Sequence, residues 1–260
     1  FKQKTNASKH ELQVLIGILS HAATVVRPGR LFLRRLIDAS KVPRLSFHRT
    51  RINAKCRSDL AWWSVFAERW NGVALFPRLP VGPSIFSDAS GAWGCGAYVE
   101  ETNQWFQFEW PPPWLGLGIA TKELLPVVMG AAVWGRGWQG VRVTFHCDNE
   151  AVVSCLNDRS ASEVRLTHLL RCLFFIQAHF KFEFRAKHIA GKQNTAADAL
   201  SRNKLPQFLS LRSQAKKQSP SQLPQPTRLS EALVDLLSDD SLCWTSPRWR
   251  NLCEAILPRE

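Results

Sequence analysis

Ser84-Ile85-Phe86-Ser87-Asp88-Ala89-Ser90-Gly91 is an apolar run that ends in an acid and then small residues. Upstream of it the hydrophobic period is helical; from it onward the pattern is that of strands. Segments 85–87, 95–99 and 105–109 are separated by turn-forming Gly and Asn residues, which predicts a three-stranded meander. A second run, Val141-Arg142-Val143-Thr144-Phe145-His146-Cys147-Asp148-Asn149, is another apolar strand closed by an acid. Between and after these the periodicity predicts helix 121–136, a short helix 149–157, a long helix 162–178, strand 181–187 and helix 195–203. The centre of the chain therefore reads as a mixed α/β unit.

Four acids fall at the ends of these elements. Asp88 and Asp148 close strands, Glu123 lies in what reads as the first turn of helix 121–136, and Asp198 follows a helix start capped by Asn194. Singly, each has an ordinary explanation: a helix-dipole partner for Glu123, a cap for Asp148-Asn149, a surface charge for Asp198. Together they form a set that would repel itself unless hard divalent cations neutralise it. Phosphodiester hydrolysis suits such a set, because two Mg²⁺ ions about 3.5–4 Å apart activate water and relieve charge at phosphorus. In this reading Asp88 bridges both ions, Glu123 and Asp148 approach from neighbouring elements, and Asp198 completes one shell. His188, after strand 181–187 and beside the loop Ile189-Ala190-Gly191-Lys192, is placed to carry a proton.

The chain has 260 residues and a formal charge of +13, enough length for one or two domains. The charge is segregated. Residues 1–84 hold 15 Lys and Arg against 4 Asp and Glu, whereas 85–204 hold 12 against 11 and 205–260 hold 7 against 6. An excess confined to the first third points to an anionic partner along that segment. Seven cysteines form no Cys-x-x-Cys pair, and several lie inside apolar runs, so an intracellular, reducing compartment (nucleus or cytoplasm) is expected rather than a disulfide framework. No signal peptide is visible, and no apolar run reaches the ~18–20 residues of a membrane span. The abrupt start at Phe1 suggests a piece of a longer polypeptide.

The flanks divide the chain further. Residues 1–80 read as a basic all-helical subdomain, with helices over 9–26, 31–37 and 53–70 and a break at Pro28-Gly29. Its Trp62-Trp63 pair fits core or interface before base stacking. Residues 84–204 form the α/β unit. Residues 205–227, rich in Pro, Ser, Gln and Lys, read as a linker. Residues 228–260 return to a helical pattern too short for a core of its own, as the truncated start of another domain.

One string makes a resemblance specific: His188-Ile189-Ala190-Gly191-Lys192-Gln193-Asn194 running on to Ala197-Asp198-Ala199-Leu200-Ser201-Arg202. With Ser87-Asp88-Ala89-Ser90, Lys122-Glu123-Leu124 and Cys147-Asp148-Asn149 it resembles the ribonuclease H domain of retroelement reverse transcriptases. The wider chain is similar to the polyprotein of DIRS-type, tyrosine-recombinase retrotransposons. There a segment like Val26-Arg27-Pro28-Gly29-Arg30 through Phe32-Leu33-Arg34-Arg35-Leu36-Ile37, with Asp59-Leu60 and Trp62-Trp63, follows the polymerase as thumb and connection. Trp244-Thr245-Ser246-Pro247 with Trp249 is similar to the start of the recombinase.

The resemblance implies an RNase H-like five-stranded mixed sheet flanked by helices, cutting the RNA strand of RNA–DNA hybrids with two Mg²⁺ ions, or Mn²⁺. Asp88, Glu123, Asp148 and Asp198 become the metal ligands and His188 the loop histidine. Arg27, Arg30, Arg34, Arg35, Asn149, Lys192 and Asn194 become the nucleic-acid contacts, and the rest of the polyprotein becomes a partner. One departure is plain: about five residues, 158–162, separate the helix after Asp148 from the next. No room is left for the extra basic helix that some cellular enzymes use to grip substrate, so hybrid binding falls to the cations of 1–84.

Other chemistries lack their residues. Asp239-Asp240 lies in a polar break and reads as a solvated turn, not a polymerase pair, and the sole tyrosine, Tyr98, lies inside a strand, so no recombinase nucleophile is present. Gly91-x-x-Gly94-x-Gly96 joins two strands and reads as a hairpin, not a dinucleotide loop. An integrase or transposase would use three acids ending in a helix-borne Glu. A catalytically idle nucleic-acid-binding module of a decayed element is the alternative to a working nuclease.

Overall fold

The computed structural model of the chain describes residues 1, 4–69, 79–215, 221–222, 227–237 and the isolated positions 248, 251, 254 and 255. Strand β1 (Asn6–Ser8) pairs antiparallel with β2 (Arg49–Arg51), so the front section, expected as all-helical, also carries a two-stranded ribbon. Helix α1 (Lys9–Val25) starts at a capping box: the Ser8 hydroxyl accepts from the Glu11 N–H and the Glu11 carboxylate accepts from the Ser8 N–H. Leu12 and Ala23 are buried on its inner stripe. Pro28-Gly29 ends it in a 3-10 turn, Arg27–Phe32, which leads into α2 (Arg34–Lys41). A Cβ on Gly29 would lie 2.3 Å from the Trp63 ring, so only glycine lets α3 (Ala54–Arg69) close over the turn. Trp62 stacks on Phe32 with centroids 4.0 Å apart, which makes this tryptophan pair part of the packing.

The α/β unit is a single sheet with strand order β7-β6-β3-β4-β5-β8. Strands β3 (Val81–Ala89), β4 (Gly94–Val99) and β5 (Gln104–Glu109) form the antiparallel meander. Strands β6 (Arg142–Cys147) and β7 (Glu183–His188) add in parallel beyond β3. These five make the mixed sheet; β8 (Ser221–Gln222) extends the β5 edge by two residues. Helices α4 (Ile119–Trp134), α5 (Glu150–Asp158) and α6 (Val164–Phe180) follow the meander and β6. Residues Ile85, Ala97, Phe106, Val143 and Phe145 are buried in the same apolar cluster as Leu124, Val128, Leu169 and Leu173 of α4 and α6. Each such side chain contributes about 1.5–3 kcal/mol by leaving water. Helices α7 (Thr195–Ser201) and α8 (Leu205–Ala215) cover a second cluster with Tyr98, Trp105, Leu200 and Phe208.

The linker expected over 205–227 is corrected where it is described. Phe208 of α8 is fully buried against Tyr98 and Trp105, and Arg212 donates to Asn103 and Glu100 at 2.8 Å each, so 205–215 is part of the unit. The tail is corrected as well: α9 (Thr227–Leu237) buries Leu229, Leu233, Leu236 and Leu237 in the main core instead of standing apart. Asp239-Asp240, Trp244 and Trp249 lie outside the described residues. The front section is fastened to the unit by Arg171 of α6. Its buried guanidinium donates to both Asp59 oxygens at 3.0 Å and to Leu31 O at 2.8 Å. Burial pushes the Asp59 carboxyl up, and Arg171 and Arg35 pull it back. The described cysteines 56, 95, 147, 155 and 172 are free, and no described helix is long and apolar enough to cross a membrane.

Candidate metal centre

The site forms where parallel strands β3 and β6 end side by side. Phe86 pairs with His146, which carries Asp88 and Asp148, two residues further on, to the same end of the sheet. Asp88 is the penultimate residue of β3 and lies opposite Gly96 of β4. A Cβ on Gly96 would stand 2.3 Å from Leu200 Cβ; its absence lets α7 settle on β4 and bring Asp198 and Ser201 to Asp88. Glu123 sits in the second turn of α4, not the first, and is buried, so dipole compensation does not account for it.

The carboxylates feel one another. Burial pushes the Asp88 carboxyl up to about 6, with Asp148 and Asp198 adding repulsion and the Ser201 hydroxyl, a donor to Asp88 Oδ2, opposing it. Burial, then Asp88 and Asp148, push Glu123 up to about 9, although the Ala89 N–H and the Cys147 thiol donate to it. Ligand atoms of Glu123, Cys147 and Asp148 lie within 4.8 Å of one another. Burial also pushes the Cys147 thiol up, so it stays protonated beneath Glu123 and leaves oxygen as the donor atom. Asp198 is more open and is held by Arg202, whose Nε donates to Oδ1 at 2.6 Å.

An all-oxygen set whose members resist ionising together fits a hard divalent cation. Such an ion would restore charge to Glu123 and Asp88.

His188 is the last residue of β7, and its Nε2 lies 3.1 Å from Asp148 O. The loop after it passes close: a Cβ on Gly191 would sit 3.2 Å from Asp148 Oδ2. Asn194 does not cap α7 with its side chain; it is buried, and its Nδ2 donates to Ser87 O at 3.0 Å, tying the helix start to β3. Asn149 caps α5 by accepting from the Val152 N–H. Arg34 pairs with Asp38, and Arg35 reaches buried Asp59 at 3.4 Å. Arg30 and Lys192 are exposed, and the Arg27 side chain lies outside the described residues. Sequence reasoning assigned no role to Ser201 or Arg202, although both stood in the quoted string, three and four residues after Asp198, where a helix returns to the same face.

Residues 131–204 match the sequence profile of a family described as Reverse transcriptase-like. With the sheet order, this decides the class. The α/β unit has an RNase H-like fold. The matched span contains Asp148, His188 and Asp198 and stops short of Asp88 and Glu123, which the fold brings in from outside it. No curated protein matches the chain. The match supports a nucleic-acid-binding domain with nuclease-type chemistry as its function class. Between α5 and α6 the domain has five residues, 159–163, as the sequence suggested.

Proposed function

We propose that the chain is a metal-dependent endonuclease that hydrolyses the RNA strand of RNA–DNA hybrids during retroelement reverse transcription. The observation that carries the proposal is the mutual repulsion of Asp88, Glu123 and half-buried Asp148, the first two buried, with Glu123 pushed up to about 9 and close to Asp148. Asp88, Glu123, Asp148 and Asp198 would hold two Mg²⁺ ions, or Mn²⁺, which when bound supply charge relief at phosphorus and an activated water.

The chain's own groups prepare this. Ser201 orients Asp88, Arg202 fixes one Asp198 oxygen, and the Ala89 N–H and Cys147 thiol fix Glu123. His188, exposed at the end of β7, carries a proton at Nε2 once released from Asp148 O. Arg30 and Lys192 contact the hybrid backbone. In this reading residues 1–80 are the thumb and connection segment of a DIRS-type polyprotein, and 84–215, with α9 packed on its core, the catalytic domain.

A labelled hybrid incubated with the purified chain should lose its RNA strand only when Mg²⁺ or Mn²⁺ is added, while an all-DNA duplex stays whole. Salt-sensitive hybrid binding with no cleavage at any metal concentration would instead establish an idle binding module.

A further inference from the structure

We infer that the open face of β6 and β7 is a track for a single nucleic-acid strand leaving the carboxylate cluster. The inference rests on the nuclease reading of that cluster. Register fixes the face: Thr144 lies opposite Arg185 and His146 opposite Lys187. Arg185 Nε donates to Thr144 Oγ1 at 3.1 Å, which anchors its side chain on the face that also carries His146. From Asp148 back to Arg142 is six residues, about 20 Å of strand.

Along that line Lys187, Arg185 and Arg142 are exposed, and exposed Arg30 of the front section stands at the far end. Arg30, Arg142 and Arg185 line a cavity of about 640 Å³ between the front section and the sheet. Among the described residues none of these four cations forms an ion pair. The nearby acids are mostly occupied: Glu183 by Arg159, Glu100 by Arg212, and Glu101 by the Ser84 N–H. Asp158 is the exposed acid of the cavity, accepting from Ser154.

Beside the cations, His146 stacks on Phe86 with centroids 4.3 Å apart and planes 6° from parallel, and Phe86 stacks on Tyr98. Half-buried rings bordering a row of cations suit bases and phosphates of one strand. A protein strand has no such welcome, because Asn157 already occupies the β7 edge, bonding both the N–H and the carbonyl of Ala186.

The test uses the full chain in EDTA and follows fluorescence anisotropy of two probes across a salt series. One probe is a blunt RNA–DNA hybrid; the other carries a single-stranded extension of about ten nucleotides. Wild type should bind the extended probe more tightly. In Arg185→Gln/Lys187→Gln that preference should vanish, and the slope of log K against log salt should shrink by about 1.4; Lys187→Gln alone should give about half that. Arg136→Gln/Lys204→Gln, which removes the same charge from exposed positions elsewhere, should keep both. No preference in wild type, an unchanged preference in the first double variant, or equal losses in both doubles overturns the track. Cleavage of the blunt hybrid with Mg²⁺, measured separately, judges the nuclease reading; binding alone judges the track.

Discussion

The Ser201 hydroxyl donates a hydrogen bond to Asp88 Oδ2, joining α7 to the central strand across 113 positions of sequence. The same hydroxyl oxygen also lies 3.0 Å from Asp198 O, so its single hydrogen is shared between the Asp88 carboxylate and the backbone carbonyl of Asp198. Ser201→Ala should leave the fold intact and raise the Mg²⁺ concentration for half-maximal cleavage about tenfold, as loss of a group orienting a ligand does. Isothermal titration of Mg²⁺ into wild type and variant checks it. Equal affinities would remove Ser201 from the site.

Glu123 sets a pH dependence. Its folded value, about 9, lies above the ordinary 4.5, so the metal-free fold holds the proton more tightly than the unfolded chain. The stability this group contributes is complete below about 4.5 and is lost as pH rises toward 9. The slope approaches about 1.4 kcal/mol per pH unit. In EDTA, wild type should therefore lose more stability than Glu123→Gln between pH 5 and pH 8.5, read by urea melts, and Mg²⁺ should restore wild type chiefly at the alkaline end. Parallel pH profiles for the two proteins would contradict the assignment.

Gly96 is a steric requirement. Alanine there meets Leu200 Cβ at 2.3 Å, so α7 must move and take Asp198 and Ser201 with it. Gly96→Ala should cost about 1–3 kcal/mol and reduce cleavage by more than tenfold. Gly91→Ala, in the adjoining turn with nothing within 4 Å of the added carbon, should do neither.

The front section and the RNase H-like domain share the Arg171–Asp59 pair. Arg171→Ala leaves buried Asp59 with Arg35 alone at 3.4 Å and should destabilise the chain by about 3 kcal/mol, whereas Arg171→Leu with Asp59→Leu should recover most of the loss. Chemical denaturation decides it; a cost below about 1 kcal/mol for the single variant would mean that the junction is held by apolar contacts alone.

How much of this was legible beforehand follows from which contacts are local. Apolar runs ending in Asp88 and Asp148 are local signals, and they located both strands and two of the acids. The apolar periodicity placed the start of α4 at Thr121. In the fold Thr121 donates to Glu163, and the helix begins at Ile119 after Gly118.

Helix α8 was hidden by its composition. Pro206 is tolerated in a first turn, and the helix is held by Phe208 under Tyr98 and by Arg212 on Glu100, partners about a hundred residues away. The front arginines looked like a binding surface, but Arg34 and Arg35 meet Asp38 and buried Asp59, which a charge count does not reveal. The cations of β6 and β7 went unremarked for the opposite reason: that segment is nearly neutral in sum, and only the register separates its basic face.

The central claim is that Asp88, between Ser201 and the other carboxylates, holds the metal that drives cleavage. The direct measurement is cleavage of the RNA strand of a labelled RNA–DNA hybrid by wild type and Asp88→Asn across a Mg²⁺ series, with hybrid binding followed in parallel. Wild type should cut in proportion to bound metal, and the variant should bind the hybrid as before but cut at least about a thousandfold more slowly. Equal cutting by the two proteins would contradict the account.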